Sequence, residues 1–96
     1  MEISGVLNAQ TVGDLKSHIE RLLKEPVKLV VLNLEELQEI DSSGIGAIVS
    51  LLKRMRMNKN DVRIYKLQGT VRKLFELLRI DKSMEIFDDL EAAIAL

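Results

Sequence analysis

Cysteine is absent from this sequence, which removes disulfides, thiolate nucleophiles and cysteine-based metal sites together and suits a reducing compartment. Histidine occurs once, as His18. Without a second imidazole or a thiol there is no convincing zinc ligand set. At helical spacing His18 sits beside Leu15 and Ile19 on the rim of an apolar face, the position of an ordinary packed or half-exposed side chain. Neither a nucleophile elbow nor a phosphate-binding loop ending in Gly-Lys-Ser/Thr occurs, so the expectation is a protein that is not an enzyme and needs no cofactor. No charge of one sign dominates: 14 Lys and Arg against 15 Asp and Glu leave a net charge of −1, with no general pull toward nucleic acid or anionic membrane. The longest strongly apolar run, Leu29 to Leu32, is too short to cross a bilayer. The opening "MEISGVLN" has neither a basic n-region nor an apolar h-region. The expected address is therefore cytoplasmic.

What is present describes one folded unit. Ninety-six residues, 47% of them hydrophobic and 30% charged, suit a single globular domain over residues 1–96. Residues "EISGVL" supply a short strand. Val12, Leu15, Ile19, Leu22 and Leu23 then recur at helical spacing until Pro26 stops the run, with Asn8 or Thr11 as cap. Val27 to Leu34 is a near-continuous β-branched and leucine run, as expected of a strand covered on both faces. After "EELQEI", taken as a loop, a second helix carries Ile45, Ile48, Val49, Leu52 and Met55 on one face. Val62 to Leu67 is the next strand, so strand, helix and strand make a crossover with parallel strands. A third helix starts with Thr70 as cap and faces Val71, Leu74, Phe75 and Leu78 inward. "MEIF" is a candidate edge strand, and Asp88 with Glu91 has capping-box spacing before a last helix.

The stretch Asp41-Ser42-Ser43-Gly44 admits two readings. One is a helix start, since four amides there lack intrahelical partners and Asp41 or Ser42 as cap is worth about 1 kcal/mol. The other is functional. The stretch falls beyond the carboxyl end of a buried parallel strand, where open α/β sheets place functional groups. Two serines exceed what one cap needs, and Gly44 and Gly46 leave the backbone bare on either side of Ile45 for close approach by another protein. A hydroxyl at an exposed helix start is a good kinase acceptor, and phosphate there adds roughly −1.5 to −2 charges. The carboxylates of Glu35, Glu36, Glu39 and Asp41 allow either a magnesium site or ordinary solvated loop acids. Lys53, Arg54, Arg56 and Lys59 allow either a patch for an acidic partner or simple complementation of a helix dipole.

The segment "VVLNLEELQEIDSSGIGAIVSLLKRM" resembles the centre of the STAS domain, and specifically of bacterial anti-sigma factor antagonists: a buried strand ending Asn/Asp-Leu, then Asp-Ser-Ser/Thr-Gly-hydrophobic-Gly opening a helix. "SGVLNAQTV", "VRKLFELLRI" and "LEAAIAL" resemble the family's earlier segment, third helix and terminal helix. The fold implied is α/β, a STAS-like mixed sheet of about four strands with four helices packed on it. The function implied is partner switching. The unmodified antagonist binds an anti-sigma factor that is also a serine kinase, which frees a sigma factor for transcription. Phosphorylation at the serine after the Asp, here Ser42 with Ser43 as runner-up, blocks binding until a serine phosphatase reverses it. Asp41, Ser43, Gly44, Ile45 and Gly46 would form the partner surface, with Asn8 beside it.

Three departures accompany the resemblance. Asn8 stands where the family often has Asp. Arg79 stands where many members have a helix-ending glycine, so that turn must close some other way. The chain begins near the family's second strand, so it reads as truncated at the first, with a sheet edge exposed or paired in a homodimer. Two other functions remain open: a scaffold or accessory subunit of a stress-signalling or transport complex without a sigma factor, and an anion or nucleotide site at the start of the second helix.

Overall fold

A computed structural model of the chain describes residues 1–95. In chain order the elements are β1 (Gly5–Leu7), α1 (Val12–Leu22), β2 (Leu29–Asn33), β3 (Leu37–Ile40), α2 (Ser42–Met57), β4 (Asp61–Tyr65), α3 (Gly69–Leu77), a 3-10 turn (Ile80–Lys82), β5 (Glu85–Phe87) and α4 (Leu90–Ile94).

The strands form two small sheets, β1-β3 and β2-β4-β5, in which every pairing is parallel. Residues at the amino terminus link them. Glu2 bridges Asn33, Ile3 N donates to Asn33 O at 3.0 Å, and Asn33 N donates to Met1 O at 2.7 Å. Residues 1–3 thus cover the flank of β2. The expected mixed sheet of about four strands is corrected to five parallel strands in two sheets, with four helices, among the described residues. The extra strand is β3, within the segment taken as a loop. Only Leu37 is buried there, and Gln38 and Glu39 are exposed, so its sequence carries little strand pattern. Pairing with β1 makes it a strand.

Alternation in β2 and β4 buries Val30, Leu32, Val62 and Ile64, as the twofold period of a strand requires. Arg63 points to the opposite face and donates to the carbonyls of Ala93 and Ala95, tying α4 to β4. Helix α1 buries Val12, Leu15 and Ile19, while α2 buries Ile45, Ile48, Leu51, Leu52 and Met55. These side chains and Phe75 of α3 form one hydrophobic core.

The caps differ in detail from those the sequence suggested. Thr11 is the N-cap of α1 but makes no capping hydrogen bond; its hydroxyl donates to Val6 O and accepts from Asn8 N instead. Gln68, not Thr70, precedes α3, and Thr70 donates to Gln38 O across to β3. The last helix is capped by Asp89, one residue after Asp88, through Glu91 N at 3.3 Å. Arg79 closes the end of α3 itself by taking the left-handed conformation, with φ 59°.

Candidate functional site

The start of α2 is assembled by Asp41. Its backbone is extended, and Oδ1 accepts from Ser43 N at 2.9 Å and Gly44 N at 3.1 Å. Its other oxygen, Oδ2, accepts from Ala9 N at 3.3 Å, and its own N–H donates to Leu7 O. One residue therefore ties the ends of β1 and β3 through its backbone, and the turn after β1 and the first turn of α2 through its carboxylate. The strand that leads into the site is β3, not the long run of β2.

Asn8 shapes the adjoining turn. Its Oδ1 accepts from the amides of Gln10 and Thr11, and its carbonyl accepts from Val12 N. Through the Ala9 contact this turn lies beside the start of α2.

Capping is done by Asp41, so the hydroxyl of Ser42 is not spent on it. Ser42 is the first residue of α2 and exposed; Ser43 is half-buried. Gly44 and Ile45 are buried and belong to the foundation of the site rather than its outer face. A Cβ on Gly44 would lie 2.7 Å from Ile40 Cγ1 and 2.8 Å from Leu7 Cγ, so this glycine lets the helix start press onto β1 and β3. Gly46 is exposed with open space where a Cβ would be.

Ser42, Ser43 and Gly46 line a cleft of about 410 Å³ between α1 and α2, together with Lys16, Glu20 and Arg54. Glu20 and Arg54 form an exposed two-pronged ion pair across it. Hydrogen bonding to Arg54 holds the Glu20 carboxyl below its ordinary value, and the same bond raises the guanidinium. The sequence reading missed Lys16 and Glu20, and named Arg54 only as part of a basic patch with Lys53, Arg56 and Lys59. Lys16 and Glu20 stand one helical turn apart on the polar face of α1, which signals a shared face but not what α1 packs beside.

Two alternatives lose support. Among the described residues no group of three or more His, Cys, Asp or Glu side chains is placed to hold a metal ion, and Asp41 is occupied as a cap. The anion reading required the free amides of the helix start, but those of Ser43 and Gly44 are taken by a carboxylate. His18 is exposed, outside this cleft. No helix among the described residues is long and apolar enough to cross a membrane.

This framework of short parallel strands, with an Asp-capped helix at their carboxyl ends, defines a small α/β domain. Residues 1–93 match the STAS domain family, and the chain belongs to it. Relatives named anti-sigma-B factor antagonist from Staphylococcus aureus and Staphylococcus epidermidis are each 24% identical, over 95% of this chain and 84% of theirs. Among solved structures, an anti-sigma factor antagonist from Mycobacterium paratuberculosis superposes with a TM-score of 0.86 at 16% identity, covering 97% of this chain and 79% of that one. The antagonist SpoIIAA in its unphosphorylated form gives 0.81 at 23%, covering 95% and 80%; the phosphorylated form, from Bacillus, gives 0.74 at 22%, covering 95% and 83%. A sulfate transporter family protein from Wolinella succinogenes gives 0.77 at 14%, covering 98% and 79%.

Proposed function

We propose that this chain is an anti-sigma factor antagonist, a non-enzymatic binding protein switched by phosphorylation of Ser42. The observation that carries the reading is the division of labour at the start of α2. Asp41 caps the helix, which leaves Ser42 exposed in first position with a hydroxyl that the fold does not need. Relatives named antagonists, and one structural neighbour solved in both unphosphorylated and phosphorylated forms, support it.

In this reading an anti-sigma factor with serine kinase activity docks over Ser42, Ser43 and Gly46, on the foundation laid by Asp41, Gly44 and Ile45, with the Asn8 turn alongside. The Ser42 oxygen takes the γ-phosphoryl group of ATP, the hydroxyl proton passes to a base of the kinase, and ADP leaves. A serine phosphatase restores the hydroxyl by hydrolysis to inorganic phosphate. The added charge of roughly −1.5 to −2 sits at a helix amino terminus, where the dipole favours it, and it shares the cleft with Lys16 and Arg54. The fold therefore tolerates the phosphate. The docked partner does not, because it would have to desolvate a dianion beside the Asp41 carboxylate.

The experiment is a pull-down from native lysate with wild type, Ser42→Ala and Ser42→Asp as baits. An ATPase-type kinase held by the first two and lost from the third supports the reading. Identical captures by all three would reduce Ser42 to a helix residue. The transporter-family neighbour favours a second reading, an accessory domain of a transport complex; capture of transporter subunits by all three baits would select it.

A further inference from the structure

At the far end of α2 lies a groove that the Ser42 reading does not use. It measures about 670 Å³ and runs between α2 and the turn that follows α3. Its apolar lining is Val49, Leu52, Met57, Leu78 and Ile80. Met57 and Leu78 remain 82% and 52% exposed, so two large apolar side chains of the lining are bare.

The rim has one sign. Lys53, Arg56 and Arg79 line the groove, and no acidic side chain does. Arg56 is already engaged by Asp61, which leaves Lys53 and Arg79 without ion pairs among the described residues. A chain of net charge −1 thus presents a locally cationic apolar groove.

Arg79 reaches the groove because it closes the end of α3 in the left-handed conformation, φ 59° and ψ 24°, which Lys59 and Lys66 also adopt elsewhere in the chain.

We infer that this groove docks an acidic amphipathic helix of a partner protein, through apolar anchors at i, i+3/i+4 and i+7 set among carboxylates that face Lys53 and Arg79. The concave wall between a helix and a turn offers no strand edge to extend and no aromatic side chain to hold a polyproline segment, and an apolar groove of this kind suits helix-in-groove docking. A second copy is a poorer occupant. The chain's own acidic helix α4 exposes just Leu90 and Ile94 as large apolar anchors, and pairing groove to groove would set the cationic rims of two copies against each other. A flat lipid surface does not fill a concave groove. Along α2 the groove begins roughly 10 Å from Ser42 and ends roughly 22 Å away, at 1.5 Å per residue, so the two surfaces are separable.

The test uses the whole chain and a fluorescent peptide of about 18 residues, long enough to hold a helix, with leucine anchors and glutamate flanks. The same peptide with lysine flanks is the control. The glutamate peptide is expected to bind and the lysine peptide not to, with amide shifts confined to residues 49–57 and 78–83. Lys53→Glu with Arg79→Glu should weaken binding roughly tenfold or more, and added salt should do likewise. Arg79→Gly should raise the melting temperature by several degrees while weakening binding, which separates docking from folding. Ser42→Asp should leave the peptide affinity unchanged, so this inference and the switch fail independently. Equal binding of both peptides, no binding, or full affinity in Arg79→Gly would overturn it. So would a dimer in sedimentation that Leu78→Ser dissociates, or retention on anionic vesicles that Leu78→Ser abolishes.

Discussion

Gly44 and Gly46 stand two residues apart in one helix and should answer alanine in opposite directions. Alanine in a helix interior is favoured over glycine by about 0.5–1 kcal/mol. At Gly46 nothing lies within 4 Å of an added Cβ, so Gly46→Ala should keep that whole gain. At Gly44 the Cβ would stand 2.7 Å from Ile40 Cγ1, 2.8 Å from Leu7 Cγ and 2.9 Å from Leu7 Cδ2. The first two are inner atoms of buried or half-buried side chains and cannot swing away. Overpacking of this kind costs about 1–3 kcal/mol, leaving Gly44→Ala worse by up to about 2.5 kcal/mol after the propensity gain. For a domain of this size each kcal/mol moves the melting temperature by about 4–8 °C. Thermal unfolding followed by circular dichroism should therefore place the two variants on either side of wild type. Functionally the pair should also divide. Gly46→Ala keeps the fold and sets a methyl group on the face proposed to meet the partner, so it should bind the captured kinase less well although it melts higher. A Gly44→Ala protein that melts at or above wild type would refute the packing argument, as would a Gly46→Ala protein that melts below it.

Two more predictions concern the cap of α2 and the cleft beside it. Asp41→Ala removes three accepted hydrogen bonds and should cost about 1–2 kcal/mol in chemical denaturation, with Asp41→Ser recovering part of it; no loss would mean that water replaces the cap without penalty. Arg54→Gln should let the Glu20 carboxyl rise toward its ordinary value of 4.5, readable by NMR titration of that side chain. Because the folded value is the lower one, the pair's stabilisation is present above about pH 4.5 and disappears as pH falls through the folded value. Both partners are exposed, so salt should shrink the effect; an unmoved midpoint would contradict the ion pair.

The start of α2 was legible because its chemistry is local. Asp, Ser and Gly at consecutive positions announce a helix start, and the apolar spacing beyond them announces the helix. What the letters left open was which residue caps it, since Asp41 and Ser42 are both competent. The choice is made by Ala9 and Leu7, which reach Asp41 from the end of β1 and are distant in sequence. The strand β3 was illegible for the same reason. Its partner is β1, and Gln38 and Glu39 give it the look of a loop. Gly44 was read as bare backbone for a partner, whereas Leu7 and Ile40 fill that space from within. The turn at Arg79 was flagged by the missing glycine, but that the arginine would itself adopt the left-handed conformation is a tertiary outcome. Lys16, Glu20 and Arg54 meet only because α1 lies against α2.

The central claim is that phosphate on Ser42 ends partner binding without unfolding the domain. The most direct measurement takes the kinase recovered in the pull-down and titrates it with homogeneous Ser42-phosphorylated protein and with the unmodified form, recording the melting curve of each. The account predicts melting temperatures within a few degrees of each other and an affinity loss of roughly a hundredfold or more, as expected when a dianion must be desolvated in an interface. Equal affinities, or a phosphorylated protein that no longer folds, would contradict it.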